Sequence, residues 1–280
     1  EAARLIPDDV TVTVSSSSGL GCPDAMLAAI GRRFDETSHP RSLTMLHPIA
    51  AGDMYGISGI DHLAKAGCIK KIVAGSYPSG PSTREPPKIW QMITGNHIPA
   101  YNVPSGIMFD MQREAAAKRP GVITKVGLDT FADPARGGCA MNALAAEEPI
   151  VRKITFENED WLFFPSIIPN IAIIRATTAD ERGNLCYEHE GGYLGPLDQA
   201  LAVRNNGGLV IAQVKRLAKA GTLKPHDVFV PGVLVDVIVV VPEQMQTTQT
   251  IYDPAISGEV FRPLRDRKST RLNSSHEWIS

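Results

Sequence analysis

Glycine and serine residues that follow predicted strands are the clearest candidates for chemistry in this 280-residue sequence. Four serines at positions 15–18 lead into a turn of Gly19, Leu20 and Gly21, and Pro23 follows as the expected start of a helix. Because small residues let a ligand reach the backbone, the N–H groups of such a turn can hold an anionic or carbonyl oxygen. We interpret this turn as a loop that binds an acyl group or an anion.

Two further turns of small residues repeat this arrangement. The segment Gly75–Pro81 follows a predicted strand, and Pro104, Ser105 and Gly106 lie between another strand and a helix. In an open α/β sheet, ligands bind at the edge where the carboxyl ends of the parallel strands meet. The three turns therefore predict one composite ligand crevice.

The first turn lacks the pattern of a nucleotide-binding loop. A dinucleotide loop needs a third glycine where this sequence has Asp24, and the Gly-Lys-Ser/Thr of a phosphate-binding loop is missing. The sequence also has no GxSxG or HExxH motif. An ordinary tight turn that closes a β-α unit remains the alternative interpretation.

The cysteines and histidines do not predict a metal site. Cys22, Cys68, Cys139 and Cys186 form no CxxC pair, and the seven histidines show no ligand spacing. We expect buried thiols. The exception to watch is Cys22, because the start of a helix lowers the pKa of a nearby thiol.

Alternating strand and helix patterns must position these turns. Val10–Val14 alternates valine with threonine, as in a strand, and the residues from Asp24 to Phe34 place their apolar side chains on one helical face. Further strands are predicted at Ser42–Leu46, Ile69–Ala74, Ile98–Val103, Ile171–Ala176, Leu209–Val214 and Val233–Val241, and further helices at Asp61–Ala66, Pro86–Thr94, Ile107–Lys118 and Leu197–Arg204. This order predicts an open, mostly parallel α/β sheet with helices on both faces, and Ile171–Ala176 is its expected central strand.

Three segments depart from this alternation. Residues 121–142 are rich in Gly, Pro and Asp and predict a long irregular loop. Ile150–Phe156 and Trp161–Phe164 predict a hairpin with residues 157–160 as its turn, and residues 178–184 predict a polar turn.

Composition excludes several classes of protein. The net charge is −2, and no basic stretch is interleaved with aromatic residues, which argues against nucleic acid as a main partner. The longest apolar run, Val233–Val241, is too short to cross a bilayer. No signal peptide is visible, so we expect a cytoplasmic protein without a membrane partner.

Four longer motifs together resemble the family I CoA-transferases. They are SGLGCPDAMLAAI, YNVPSGIMFDMQREAAAKRPGVITKVGLDTFADPARGG, IAIIRATTADERGNL, and GGLVIAQVKRL with VPGVLVDVIVVVP. The resemblance covers roughly Ala2–Glu259 and is to the type that includes propionate and acetate CoA-transferases and the acyl-CoA:acetate/3-ketoacid group. It implies an open α/β sheet related to that of ribose-phosphate isomerases.

The resemblance also implies an activity in short-chain acyl-CoA and ketone-body metabolism. Members pair an α-like and a β-like half, and this chain resembles the α-like half. In the family, a glutamate of the β-like half attacks an acyl-CoA thioester, and a glutamyl-CoA thioester then passes CoA to a carboxylate acceptor. Coenzyme A is thus a substrate, no separate cofactor or metal is expected, and the complete enzyme is expected to be a homo-oligomer.

The resemblance assigns substrate-binding residues but no catalytic residue to this chain. Gly19, Leu20 and Gly21 match the family's glycine loop near the acyl group. Pro104, Ser105 and Gly106 match a position where many relatives have Pro-Gln-Gly, so the shorter serine leaves the choice of acceptor open. In the family the nucleophile has a Glu-x-Gly setting; the glutamates in 157–159 lack the glycine, and those in 188–191 have different surroundings. Both segments are interpreted as solvated loop charges.

The expected domain is residues 1–265, an α-like domain truncated at its N-terminus and lacking its β-like half. Residues 266–280 resemble a translated sequencing adapter and are expected to be a non-native disordered tail. Two alternative functions remain: a sugar-phosphate isomerase or deaminase with the same sheet, and a non-catalytic binding or regulatory module. On the leading interpretation, this chain alone is inactive.

Overall fold

The computed structural model describes residues 1–78 and 85–263. Its strands are β1 (Thr11–Val14), β2 (Leu43–His47), β3 (Ile69–Ala74), β4 (Ala100–Asn102), β5 (Gly121–Thr124), β6 (Arg152–Phe156), β7 (Glu159–Pro165), β8 (Ile171–Asp180), β9 (Leu185–Cys186), β10 (Leu209–Ala218), β11 (Val228–Val230) and β12 (Val237–Val240). Its helices are α1 (Asp24–Thr37), α2 (Lys88–Thr94), α3 (Ser105–Ala116), α4 (Ala143–Glu147) and α5 (Pro196–Arg204). The predicted tail 266–280 and the end of the second turn, residues 79–81, lie outside the described residues.

Seven strands form the parallel sheet that the sequence predicts. Their order is β12-β10-β8-β1-β2-β3-β4, and each neighbouring pair is parallel. The short strand β9 pairs antiparallel with the last residues of β8, and β11 pairs antiparallel with β9. All ten residues of β8 are buried, which confirms that this strand is central.

Helices cover both faces of this sheet, as predicted. Met26, Leu27 and Ile30 of α1 pack with Ile89 and Ile93 of α2 in one buried cluster. The opposite face packs against α3 and, in a separate cluster, against α5. Because both faces are buried, a central run such as Ile171–Ile174 of β8 is apolar at every position rather than alternating.

A three-stranded antiparallel sheet, β5-β7-β6, packs beside the main sheet. The predicted hairpin is confirmed, but its turn is only Glu157 and Asn158, both with positive φ; the next two residues belong to β7. The predicted irregular loop 121–142 is wrong at its start, because Gly121–Thr124 pairs with β7. These four residues are too short a run to show a periodic pattern.

Three other predicted boundaries are corrected. Strand β8 continues through Asp180, so the predicted polar turn at 178–184 shortens to 181–184. Gly232–Leu234 is a 3₁₀ turn, and β12 begins only at Val237. The predicted helix Asp61–Ala66 is a 3₁₀ helix at Gly59–Leu63.

Candidate functional site

The strand order places the first glycine turn at a crossover point of the sheet. From β1 the chain adds β2, β3 and β4 on one side, and it later returns to add β8, β10 and β12 on the other. Ligands of open α/β sheets bind outside the carboxyl ends of the strands at such a point. Residues 15–22 leave β1 there and lead into α1.

Gly19 has no room for a side chain. A Cβ atom built on it lies 2.2 Å from Oδ2 of Asp53. Asp53 is buried, and its Oδ1 accepts hydrogen bonds from the backbone N–H groups of Tyr55 at 2.7 Å and Ile57 at 3.2 Å. The hydroxyl of Thr248 donates to the same carboxylate. The glycine therefore lets an anchored acid pack against the turn.

The backbone of the turn keeps unpaired donors. Ser17 and Leu20 exchange two backbone hydrogen bonds across it. Within residues 1–78 and 85–263, no hydrogen bond is donated by the amides of Gly19 or Gly21. Because the Asp53 carboxylate lies beside them, a multiply charged phosphate is disfavoured, and the carbonyl oxygen of an acyl group suits these donors better.

A buried ion pair lies behind the turn. Arg175 on β8 donates from Nη2 to Oε2 of Glu190 at 2.8 Å and from Nε to Oε1 at 3.2 Å. Their side chains are 1% and 3% exposed. The interpretation of Glu190 as a solvated loop charge is therefore wrong, although Glu188 is exposed as predicted. Glu190 is buried because β8 carries a cation that needs a partner.

Arg175 also bonds to backbone groups from two other segments. Its Nη1 donates to the carbonyl of Cys22 at 3.0 Å, and its Nη2 donates to the carbonyl of Gln246 at 3.1 Å. Its backbone N–H donates at 3.1 Å to Oγ of Ser15, which donates at 3.4 Å to the carbonyl of Gly21. Arg175 thus contacts both ends of the glycine turn.

Buried glutamines extend this network. Oε1 of Gln213 accepts from the N–H of Met26 at 3.0 Å, in the first turn of α1. Nε2 of Gln213 donates to Gln244 at 3.1 Å, and Gln244 donates to the carbonyl of Ala176 at 2.9 Å. The segment after β12 is therefore tied across the carboxyl ends of β8 and β10.

Sequence reasoning missed Arg175, Glu190 and these glutamines. One signal was present, since IAIIRA and LVIAQV each place a polar residue in an apolar strand. A polar group in a buried strand needs a hydrogen-bond partner, so each of these residues indicates a hidden network.

Two cavities flank the ion pair. One has a volume of about 450 Å³, and Glu190 and Tyr187 form part of its wall. It lies close to Leu20, because a Cβ built on Gly191 meets the Leu20 side chain at 3.0 Å. The other cavity, of about 110 Å³, is lined by Cys22, Arg175 and their neighbours.

The other two predicted turns lie along the same edge of the sheet and are linked to the first by a series of contacts. The N–H of Ala50 donates to Oγ of Ser76 at 2.9 Å, and Ala50 in turn accepts from the N–H of Ser18. A Cβ built on Gly75 lies 2.5 Å from Oγ of Ser105. The three turns therefore lie in a row along the edge from β1 to β4. Three spacings between neighbouring strands separate β1 from β4, a distance of about 14 Å.

The third turn is open. Pro104 and Ser105 are half-buried and Gly106 is exposed. A Cβ built on Gly106 meets nothing within 4 Å. Ser105 is the first residue of α3, so the amides of this turn belong to an uncapped helix start.

The expectation that the helix start lowers the pKa of the Cys22 thiol is wrong. All four cysteines are buried and free, as expected. Burial raises the pKa of the Cys22 thiol, and the nearby Asp24 carboxylate raises it further. In the described part of the chain, no group of three or more His, Cys, Asp or Glu residues could hold a metal ion.

Comparison with known proteins decides the family. A sequence profile of the Coenzyme A transferase family matches residues 1–241. The chain belongs to this family. It is 40% identical over 271 residues to a caffeate CoA-transferase of Acetobacterium woodii, covering 94% of this chain and 49% of that protein. It is 38% identical over 248 residues to the acetate CoA-transferase YdiF of Escherichia coli K12, covering 88% and 45%.

Solved structures agree with this family assignment. The crystal structure of the YdiF apoenzyme from Escherichia coli O157:H7 superimposes with a TM-score of 0.86 at 35% identity, covering 94% of this chain and 50% of that one.

The α subunit of acetate CoA-transferase from Escherichia coli K12 is 25% identical over 243 residues and is covered over 95% of its length. The chain thus spans about half of the long relatives and nearly all of a separate α subunit.

The structure also bears on membrane association. Among the helices of residues 1–78 and 85–263, none is long and apolar enough to span a bilayer.

Proposed function

We propose that this chain is the α-like half of a CoA-transferase that moves CoA from an acyl-CoA to a carboxylic acid. The proposed domain is residues 1–265, and the nucleophilic glutamate lies in a β-like half that this chain lacks. Two facts support the division: the long relatives are matched over about half their length, and a relative named as an α subunit is matched almost completely.

The observation that carries the proposal is the glycine turn at the sheet crossover. Gly19 and Gly21 present amides that donate no hydrogen bond within the described residues, in a turn held between Asp53 and Arg175. Donors fixed in advance can stabilise the negative oxygen that forms when a carboxylate attacks a thioester carbonyl. Gly19, Leu20 and Gly21 are therefore proposed to line the acyl site.

Pro104, Ser105 and Gly106 are proposed to form a second, more adjustable part of the substrate site. They lie on the same edge of the sheet, with open space at Gly106. Because two relatives are named caffeate CoA-transferase and acetate CoA-transferase, the acceptor is proposed to be a monocarboxylic acid of one of these kinds. Ser105 is the position at which we expect acceptor choice to be tuned.

The experiment joins this chain to a β-like half and measures CoA transfer from acetyl-CoA to a panel of acids. We expect transfer by the joined protein and none by this chain alone. Mass spectrometry of the joined protein incubated with acetyl-CoA should find a CoA adduct on a glutamate of the β-like half. Changing that glutamate to glutamine is the matched control and should abolish both adduct and transfer.

Two outcomes contradict the proposal. A CoA adduct on a glutamate of this chain shows that the nucleophile lies in the α-like half and not in the β-like half. Turnover of a phosphosugar without CoA transfer shows an isomerase instead.

A further inference from the structure

The geometry points to Arg175 and Glu190 as a positioning pair that holds the glycine turn in its binding shape. This inference rests on the proposed function, because it assigns the turn a role in binding the acyl group. Neither side chain needs to touch the substrate.

The first argument is burial. Both side chains are almost completely removed from solvent; Arg175 lies on the central strand β8, and Glu190 lies in the segment after β9. Replacing a buried ion pair by apolar residues of similar volume is often neutral or stabilising, so stability alone does not explain the pair. A charged group kept in such a place indicates that its particular hydrogen bonds matter.

The second argument is what the guanidinium connects. Two of its N–H groups bind Glu190, and others bind the carbonyls of Cys22 and Gln246. Glu190 fixes the plane of the guanidinium, and that plane directs Nη1 to the carbonyl at the exit of the turn. Lysine cannot reproduce this set, because its ammonium is a point charge without a planar fork.

The third argument is that the same residue also reaches the interior of the turn. The Arg175 backbone binds Ser15, and the Ser15 hydroxyl binds the Gly21 carbonyl. The carbonyl groups of Gly21 and Cys22, which follow the turn's free amides, are thus fixed from β8. Because a displacement of about 1 Å can cost about 10²-fold in rate, this fixation matters for catalysis.

The test uses this chain joined to a β-like half and a double variant, Arg175→Met with Glu190→Leu. Removing both charges avoids a lone buried ion, which by itself strongly destabilises a fold. The matched control is Arg216→Met with Glu188→Leu, since Arg216 lies on the neighbouring strand and Glu188 precedes Glu190 by two residues. Nη2 of Arg216 lies 2.6 Å from Oε1 of Glu188, so this is also an arginine–glutamate ion pair. Its side chains, however, are 48% and 39% exposed.

Two readouts separate positioning from a structural role. Hydrogen exchange should become about tenfold faster in peptides covering residues 15–24 of the double variant and stay unchanged in β3 and α2. The kcat should fall by about 10²-fold while KM for the acyl-CoA stays within about threefold, and Arg175→Lys should recover only part of the loss. The control should behave like the parent in both readouts.

The outcomes distinguish this inference from the proposed function. Unchanged exchange in residues 15–24 overturns the positioning role, whether or not the parent is active. Faster hydrogen exchange in residues 15–24 with an unchanged kcat shows that holding the turn does not affect catalysis. If the parent transfers no CoA but exchange changes as expected, the pair positions the turn and the proposed function fails.

Discussion

The two ends of the binding edge are built differently. At the β1–β8 end, which comprises residues 15–24 with Arg175 and Glu190, charged groups are buried and bonded. At the β4 end, which comprises residues 104–106 and the start of α3, the turn is half-buried or exposed and its glycine faces open space. On the proposed function, one end fixes a geometry common to the reaction, and the other can change without disturbing the fold.

The largest expected difference between the two ends concerns their arginines. Arg175→Met alone leaves Glu190 buried without its cation, so the free energy of unfolding should fall by about 3–5 kcal/mol. Arg113 on α3 binds Asp110 and Asp198, but it is 52% exposed. Arg113→Met should cost at most about 1 kcal/mol. Urea unfolding of both variants checks this, and equal losses contradict the contrast.

Between the two ends lies His47, which should make stability depend on pH. It is fully buried at the end of β2, and its Nδ1 donates to the carbonyl of Ile49 at 3.1 Å. Burial lowers the pKa of His47 from 6.5 to about 4. The unfolded chain therefore binds a proton more readily than the folded chain between these values.

The contribution of His47 to stability is complete above pH 6.5 and decreases as the pH falls towards 4. The expected loss is about 3 kcal/mol. Urea unfolding at pH 7 and pH 4 measures it, and His47→Asn, which keeps a donor for Ile49, is the control that lacks the titration. An equal pH dependence in both proteins refutes the assignment to His47.

A third contrast compares the glycines of the two turns. Gly19→Ala forces a methyl group against the anchored Asp53 carboxylate and should lower the free energy of unfolding by about 1–3 kcal/mol. Gly106→Ala meets open space in the first turn of α3 and should be neutral or stabilising by less than about 1 kcal/mol. Thermal unfolding of the two variants compares them. A harmless Gly19→Ala shows that Asp53 can move aside.

The smallest expected effect on stability is at Ser105. Ser105→Gln places an amide where many family members have one, and we expect a change below about 0.5 kcal/mol because the residue is half-buried beside open space. In the protein joined to a β-like half, the same change should alter the ratio of kcat/KM values between acetate and larger acids. Unchanged ratios show that Ser105 does not tune the acceptor.

Local sequence patterns were sufficient to predict the parallel sheet and the position of the glycine turn. Residues Ile69–Ala74 are predicted with their observed bounds, because their β-branched and apolar residues are bounded by the turn glycines Gly67 and Gly75. The turn after β1 is recognisable because glycine and proline restrict the backbone locally. Both signals depend only on neighbouring residues.

The ion pair and the row of turns could not be predicted in the same way. An arginine in an apolar strand indicates that a partner exists. However, 15 residues separate Arg175 from Glu190, and 71 separate it from Gln246. Only the tertiary fold sets those distances. For the same reason, the contacts that link the three turns along the edge could not be derived from the sequence.

The position of β8 next to β1 has a consequence for synthesis on the ribosome. Val14 pairs with Ile173, so β1 has an open edge until the chain has grown by 159 residues. At about 5–20 residues per second, that interval is about 8–30 s. An unpaired apolar strand edge is prone to associate with other chains. The nascent protein should therefore depend on chaperones until β8 emerges and occupies that edge.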